Sequence, residues 1–198
     1  MKKLLNLDRI KEKIFFYNPE KTTYIDEFNC TVDDESISAY FYLPHNPCED
    51  LVNDVVVDWK QTGKEIVFTN GCFDIIHRGH IEVLAQTADL GNKLIIGLNS
   101  DISIQKLKGK NRPIIEEQSR AILLASLEFV DAVVIFSEDT PLKLISALLP
   151  DVLAKGGDYE IETIVGHEIV QQNGGKVKLV PFLDGFSSTT IIDKIKNS

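Results

Sequence analysis

From residue 65 onward, short apolar runs alternate with stretches in which apolar residues recur at helical spacing. The apolar runs predict buried strands, and the periodic stretches predict the helices that connect them. The predicted strands are residues 65–69, 93–98, 131–136, 151–155 and 176–181. The predicted helices are residues 79–90, 116–127, 141–148, 161–173 and 188–196. This alternation predicts an α/β fold with a doubly wound, mostly parallel five-stranded sheet that is covered on both faces.

Residues 1–63 follow a different pattern and are predicted to form a small N-terminal appendage to a main domain of residues 64–198. Apolar and polar residues alternate strictly over residues 36–43, which predicts a hairpin with residues 22–32. A lead-in helix is predicted between this hairpin and the main domain. The apolar residues of the appendage need a partner surface, either the main core or a second subunit, and we expect a homodimer.

The formal net charge of −9 narrows the classes of partner. A strongly acidic chain is a poor match for nucleic acid or for an anionic membrane, whereas a small anionic ligand needs only a local cluster of positive charge. The three cysteines form neither a Cys-x-x-Cys pair nor a zinc spacing. No apolar run approaches the roughly 20 residues of a membrane span. We therefore expect a cytoplasmic protein in a reducing compartment.

The most informative segment is the turn from the first predicted strand into the first predicted helix, where Gly71 is followed by His77, Gly79 and His80. Imidazoles three residues apart on a first helical turn face the same way. The free N–H groups of that turn and the positive end of the helix dipole attract phosphate. Two solvated histidines are the alternative interpretation, but the pair, the glycines and the strand–turn–helix setting together favour a phosphate site.

Three further polar clusters follow predicted strands, where ligands bind in sheets of this type. A basic run fits either a flexible loop that closes over a polyphosphate or a solvated loop. It consists of Lys106, Lys108, Lys110 and Arg112. The two glycines of residues 155–159 fit either the recognition of a base edge or a simple turn. The hydroxyls of residues 185–190 either hold phosphate or only cap the last helix. Four such strand ends in one sheet favour nucleotide chemistry.

These clusters match the motifs of a known family. The matching segments are Phe68-Thr69-Asn70-Gly71-Cys72-Phe73-Asp74, His77-Arg78-Gly79-His80, Gly97-Leu98-Asn99-Ser100-Asp101, Lys106-Leu107-Lys108-Gly109 with Arg112-Pro113-Ile114, Lys155-Gly156-Gly157-Asp158-Tyr159 and Gly185-Phe186-Ser187-Ser188-Thr189. Over residues 64–195 the chain resembles the cytidylyltransferase-like nucleotidyltransferases. Within them it looks most like the adenylyltransferase domain of ADP-heptose synthase, because the asparagine before Gly71, the Lys-Gly-Gly-Asp-Tyr stretch and the Gly-x-Ser-Ser-Thr ending are narrower marks than His-x-Gly-His.

The resemblance implies a Rossmann-like enzyme that transfers AMP from ATP to a sugar 1-phosphate, D-glycero-β-D-manno-heptose 1-phosphate, and releases pyrophosphate. It implies that the catalytic residues are His77, His80 and Lys108. It implies nucleotide or phosphate contacts for Thr69, Asn70, Gly71, Cys72, Phe73, Gly79, Arg112, Gly156, Gly157, Asp158, Ser187, Ser188 and Thr189. Acceptor or Mg²⁺ contacts are implied for Asp74, Asp101 and Lys155. Mg²⁺ is expected as an ion bound to ATP, with no direct protein ligand assigned.

Two departures from the family pattern bear on function. The cytidylyl branch carries an Arg-Thr pair shortly before the final serines, whereas Phe182 and Leu183 stand here, which favours ATP over CTP. Bifunctional heptose enzymes also carry a sugar kinase, which the first 64 residues cannot hold, so a separate kinase partner is expected. The alternatives are a cytidylyltransferase for glycerol 3-phosphate or a similar phosphorylated alcohol, and a non-catalytic nucleotide-binding module that mediates assembly.

Overall fold

The computed structural model of the chain describes residues 13–17, 55–182 and 185–197. The hairpin predicted within residues 22–43 lies outside the described residues, and so does the start of the lead-in helix.

The described strands form one sheet in which every pairing is parallel. They are β1 (Ile14–Tyr17), β2 (Ile66–Gly71), β3 (Lys93–Asn99), β4 (Ala132–Phe136), β5 (Val152–Gly156) and β6 (Lys176–Val180). Their order is β1-β4-β3-β2-β5-β6, so the chain winds from β2 first to one side and then to the other. The five predicted strands and the doubly wound sheet are confirmed. The switch point of the sheet lies between β2 and β5, and ligands bind outside the strand ends at such a point.

The strand β1 comes from the segment predicted as an appendage and adds a sixth strand at the edge of the sheet. Ile14 pairs with Val133 and Tyr17 pairs with Phe136. The Val133 N–H also donates to the Lys13 carbonyl over 2.6 Å. Part of residues 1–63 is therefore continuous with the main sheet, while the domain boundary after residue 63 stays a prediction.

Helices cover both faces of the sheet. They are α1 (Val57–Gln61), α2 (Arg78–Ala88), α3 (Asp101–Lys108), α4 (Glu117–Ala125), α5 (Leu142–Leu148), α6 (His167–Gln172) and α7 (Ser188–Lys196). On one face, α2 and α4 contribute Leu84 and Leu124 to the core. On the other face, α5 contributes Ile145, and Trp59 of the lead-in helix α1 packs against the same cluster. Within the described part of the chain, no helix has both the length and the apolarity needed to cross a bilayer.

Two predicted elements differ from the structure. Residues 161–173 do not form one helix, because Gly166 interrupts them with a φ of +87° and packs where a Cβ would lie only 2.8 Å from Ile145 Cδ1. The basic run is not entirely a flexible loop, since its first two lysines lie in the last turn of α3. Ser100 caps α3 by accepting a hydrogen bond from Ser103 N, and lysines at a helix C-terminus complement the dipole.

Candidate active site at the carboxyl ends of the strands

The turn between β2 and α2 brings the two histidines of the His-x-Gly-His motif together. His77 is the N-cap of α2, with an extended backbone at φ −141° and ψ 170°. Its ring stacks on the ring of His80, with centroids 3.8 Å apart and planes inclined by 22°. The Nδ1 of His77 accepts a long hydrogen bond of 3.4 Å from the backbone N–H of His80. Two imidazoles thus lie together at the positive end of a helix.

His80 is the more enclosed of the two histidines. Its Nδ1 is buried without a hydrogen-bond partner. Burial, followed by the charges of His77 and Lys108, lowers the pKa of His80 from 6.5 to about 4. Burial also lowers the pKa of His77. Both rings are therefore neutral near pH 7, and a bound ligand would supply the partner that the buried nitrogen lacks.

A constrained turn places an aromatic ring beneath His80. Phe73 has a φ of +46°, a left-handed conformation that is uncommon for a residue other than glycine. Its ring centroid lies 5.3 Å from that of His80. A Cβ on Gly71 would lie 2.9 Å from the Phe73 ring, so the ring occupies space that only glycine leaves free. Gly71 and Phe73 therefore shape the wall behind the histidines.

The start of α7 lies beside the start of α2. The Ser188 hydroxyl donates to the Ile75 carbonyl over 3.1 Å, and the ring of Phe186 lies 6.2 Å from the ring of His77. A Cβ on Gly79 would lie 2.9 Å from Phe186 Cβ, so the close approach of the two segments requires glycine there. Two helix N-termini consequently open near one crevice, and each offers free backbone N–H groups to an anion.

Arg112 reaches the site from the segment after α3. Its Nε forms an ion pair with Asp74 Oδ2, while Asp74 Oδ1 accepts the N–H groups of Ile114 and Ile115. Burial alone would raise the pKa of Asp74, but these hydrogen bonds and the Arg112 charge outweigh it and hold the pKa below its ordinary value. The Nη2 of Arg112 is buried without a partner. Asp74 thus positions Arg112 and leaves the far end of the guanidinium available to an anion.

The lysines of the basic run do not all lie at the candidate site: Lys108 lies near it, whereas Lys106 lies on the surface. Lys108 lies close enough to His80 for its charge to help lower the His80 pKa. Lys106 instead forms an exposed ion pair with Asp139, with 3.1 Å between Nζ and Oδ1. The structure therefore places Lys108 near His80, holds Arg112 against Asp74 in the turn before the histidines, and leaves Lys106 in a surface ion pair.

Lys155 spans the switch point of the sheet. It lies at the end of β5, and its Nζ donates to the side-chain Oδ1 of Asn70 over 3.0 Å and to the Asn70 carbonyl over 3.4 Å. Burial lowers the pKa of Lys155, while the neighbouring Cys72 acts in the opposite direction. A largely desolvated ammonium that retains a third N–H is suited to an anionic oxygen.

Arg120 is a site-supporting residue that the sequence analysis missed. It is 0% exposed and belongs to α4. Its guanidinium donates to three backbone carbonyls, those of Cys72, Asn99 and Ile115. Its Nη2 also pairs with Asp101 Oδ1 over 2.6 Å. The signal in the sequence was an arginine four residues before Leu124, on the apolar side of a predicted helix.

The other predicted contacts lie in β2, after β5 and at the start of α7. Thr69 is 4% exposed within β2 and therefore supports the sheet. Gly157 donates its N–H to the Val180 carbonyl over 2.9 Å, which joins the ends of β5 and β6. Ser187 caps α7 by accepting the Thr190 N–H over 3.0 Å. The exposed positions are Asp158, Ser187 and Thr189.

The two carboxylates predicted as Mg²⁺ contacts are engaged with arginines. Asp74 is 2% exposed, and both of its oxygens accept hydrogen bonds, so it does not fit an ion contact. Asp101 pairs with Arg120 through Oδ1 and keeps 30% of its side chain exposed, which fits an outer contact. Among the described residues, no group of three or more His, Cys, Asp or Glu side chains is arranged to hold a metal ion.

The crevice therefore offers several kinds of group to an anion. These are the helix N-termini of α2 and α7, two neutral imidazoles, and the cations Lys108, Arg112 and Lys155. Buried polar atoms without partners occur at both His80 and Arg112. Such an arrangement is suited to binding phosphate and to stabilising charge that grows on a phosphoryl group.

We expect Arg120→Met to lower the free energy of unfolding by about 3 kcal/mol, the lower end of the cost of breaking a buried pair, because Asp101 stays partly exposed. Arg78→Met is the matched control, since the Arg78–Glu82 pair leaves 69% and 35% of its side chains exposed. Exposed pairs of this kind contribute about 0–1 kcal/mol. Urea denaturation measures both variants, and an equal loss in the two would contradict the role given to Arg120.

We also expect stability to depend on pH through His80. The unfolded chain binds a proton at an ordinary pKa of 6.5, whereas the folded chain resists it down to about 4. The free energy of unfolding should therefore fall as the pH is lowered from about 6.5 to about 4, with no further loss from this group below that range. His80→Gln should flatten the profile across this window. Denaturation at a series of pH values checks this, and parallel profiles for the two proteins would refute it.

Comparison with known proteins yields the same family as the motifs. The model of the cytidylyltransferase-like family matches residues 68–194. The bifunctional protein HldE of Pelobacter propionicus is 57% identical over 146 residues, which are 74% of this chain and 30% of that protein. The bifunctional protein HldE of Trichlorobacter lovleyi is 44% identical over 171 residues, which are 83% of this chain and 35% of that protein. This chain spans about a third of the length of these relatives.

A crystal structure of the lipopolysaccharide core biosynthesis protein from Thermoplasma volcanium GSS1 aligns with 61% of this chain and 98% of that chain, at 31% identity and a TM-score of 0.49. The family model covers the segment from within β2 to the last helix, and it therefore includes both histidines, Arg112, Arg120 and Lys155. On that match, the chain belongs to the cytidylyltransferase-like family.

Proposed function

We propose that this chain transfers AMP from ATP to D-glycero-β-D-manno-heptose 1-phosphate, giving ADP-heptose and pyrophosphate. The observation that carries the proposal is the stacked His77–His80 pair at the start of α2, where the buried Nδ1 of His80 lacks a partner. Family membership and relatives named HldE, 44–57% identical, support nucleotidyl transfer and the heptose branch.

In the proposed reaction, an oxygen of the acceptor phosphate attacks the α-phosphorus of ATP in line. A bond forms between that oxygen and the α-phosphorus. The bond from the α-phosphorus to the oxygen that bridges to the β-phosphate breaks, and pyrophosphate leaves with the electron pair. No side chain becomes covalently attached, so the protein contributes alignment and neutralisation of charge.

The histidine pair acts on the α- and β-phosphates. A neutral imidazole donates from one ring nitrogen, and it gains positive charge when negative charge accumulates beside it. Lys108, whose charge acts on His80, and Arg112, which is held by Asp74, neutralise the triphosphate. The backbone N–H groups at the start of α7, around Ser188 and Thr189, hold the β- and γ-phosphates.

The acceptor lies on the side of Asn70 and Lys155. Asn70 already accepts two contacts from the Lys155 ammonium, which holds the lysine at the end of β2. The remaining N–H of that ammonium is directed to an oxygen of the acceptor phosphate. Asn70 through Phe73 line the same side, where the carbonyl of Cys72 is fixed by Arg120.

Mg²⁺ is proposed as an ion that ATP brings on its phosphates, where it neutralises charge. Asp101 is the carboxylate that fits an outer contact, because its side chain is partly exposed beside the strand ends. The tight hydrogen bonding of Asp74 assigns that residue to the support of Arg112 instead.

The proposed acceptor must be phosphorylated before transfer, so a sugar kinase must act upstream. The relatives are named as bifunctional proteins, and the matched segment is about a third of their length. A cytoplasmic location is proposed together with this activity, since ATP and sugar phosphates are cytoplasmic metabolites. A homodimer is proposed because the apolar residues within residues 1–63 need a partner surface.

A pyrophosphate-release assay tests the function directly. We expect release from ATP with D-glycero-β-D-manno-heptose 1-phosphate, and much slower release from CTP or with glycerol 3-phosphate. Faster release from CTP with glycerol 3-phosphate would overturn the proposal in favour of a cytidylyltransferase. No release with any acceptor, despite measurable ATP binding, would favour a non-catalytic nucleotide-binding module.

His80→Ala should lower kcat by about 10²–10³-fold, the usual effect of removing one electrostatic donor from a transition state. ATP affinity should change far less, because the charge that His80 meets grows during the reaction. Arg78→Ala is the control, since Arg78 lies on the same helical turn but is exposed and paired with Glu82. Steady-state kinetics separates the change in kcat from the change in ATP affinity. Near-normal turnover in His80→Ala would contradict a role of His80 in stabilising the transition state.

A further inference from the structure

Two exposed aromatic rings converge at the carboxyl end of β5. Phe182, shortly after β6, is 62% exposed, and Tyr159 is 47% exposed. A Cβ on Gly157 would lie 2.6 Å from Phe182 Cε2 and 3.1 Å from Tyr159 Cε2. Both rings therefore pack close to one glycine while keeping much of their surface in water. Clustered apolar surface of this kind marks a place where a ligand or partner binds.

The ring of Phe182 lies across two successive glycines. A Cβ on Gly156 would lie 3.0 Å from Phe182 Cε1, while a Cβ on Gly157 would meet Cε2 on the opposite side of the ring. The ring thus covers both glycine positions and keeps a large open surface. Gly157 also has a φ of +117°, which side chains rarely adopt. The ring of Phe182 consequently packs against these two glycines, which have no side chains in its way.

This aromatic cluster adjoins the phosphate-binding end of the crevice. The position of a Cβ on Gly156 lies 2.9 Å from Val83 Cγ1, and Val83 belongs to α2, the helix that begins at the histidine pair. The chain from Phe182 leads into α7, whose start contacts the turn before α2. The crevice therefore has an anion-binding end and an aromatic end, which suit the two halves of a nucleotide.

We propose that Phe182 is the platform on which the adenine of ATP stacks, with Tyr159 at the edge of the base, and that Phe182 is a specificity-determining residue. The identity of the nucleotide rests on the proposed function. A phenyl ring forms no hydrogen bond with a base edge, so its contribution is stacking. A purine offers more ring surface to such a platform than a pyrimidine, which favours ATP over CTP.

A fluorescent reporter tests the contact without any acceptor. The chain has one tryptophan, Trp59, so the double variant Trp59→Phe/Phe182→Trp carries a single tryptophan at the proposed platform. We expect α,β-methylene-ATP to quench its emission and inorganic triphosphate to leave it unchanged. Equal responses to both probes, or no response at concentrations where the nucleotide binds by calorimetry, would overturn the proposal.

Kinetics supplies the second measurement. Phe182→Ala should raise the KM for ATP at least tenfold, equivalent to about 1.4 kcal/mol, with a smaller change in kcat, while Phe182→Tyr should stay close to the parent. Leu179→Ala is the control, because Leu179 is 41% exposed on the neighbouring strand β6. An unchanged KM in Phe182→Ala would contradict the proposal.

The two proposals fail in different ways. If the pyrophosphate assay gives no product but α,β-methylene-ATP selectively quenches the emission of the Phe182→Trp reporter, the platform stands and the proposed reaction falls. If ADP-heptose forms while the reporter is silent and Phe182→Ala keeps a normal KM, the reaction stands and the platform falls.

Discussion

The buried guanidinium of Arg120 determines how the strand ends meet. Desolvating a guanidinium is costly, and here the cost is offset because it donates to three carbonyls and to the Asp101 carboxylate. The contacts join the turn after β2 to the end of β3 and the start of α3. With the Cys72 carbonyl held in this way, the chain enters the turn that places Phe73 beneath His80. The arrangement of the histidines therefore depends on an arginine on another helix.

Two arginine–aspartate pairs have different roles. The Arg120–Asp101 pair supports the structure, and the Arg112–Asp74 pair leaves a guanidinium that can bind a ligand. The Arg120 pair is directed inward, and the guanidinium is fully enclosed. In the Arg112 pair, Nη2 has no hydrogen-bond partner, while Asp74 is saturated by two backbone N–H groups and Nε. A saturated carboxylate beside a partly unsatisfied guanidinium leaves a cation that is positioned and still able to bind. The same residue types thus perform structural and ligand-binding tasks, depending on which hydrogen bonds are left open.

Local pattern was enough to predict the sheet and the motif turn. A buried parallel strand needs a continuous apolar run, and His77 and His80 are close in the sequence, so both were visible without a structure. Helix α3 was missed because only Ser103 and Ile104 of its eight residues are buried, while the apolar Ile102 and Leu107 are exposed, so its apolar residues do not line one buried face. The strand β1 is four residues long, too short to distinguish from a loop. The pairing of Asp74 with Arg112 spans 38 positions, and that of Cys72 with Arg120 spans 48, and no local pattern encodes such contacts.

The low pKa of His80 must be reconciled with its proposed role at phosphate. In the protein alone, burial and the charges of His77 and Lys108 oppose protonation and hold the pKa at about 4. A triphosphate bound beside the ring, as proposed, would reverse the effect of these charges, because it would place negative charge near His80 and neutralise Lys108. Negative charge that grows on the phosphates during transfer favours the protonated ring further. The same burial that keeps His80 neutral before the nucleotide arrives strengthens its interaction with that charge afterwards, since little water remains to screen it. A neutral, enclosed imidazole is therefore a donor whose contribution increases as the transition state forms.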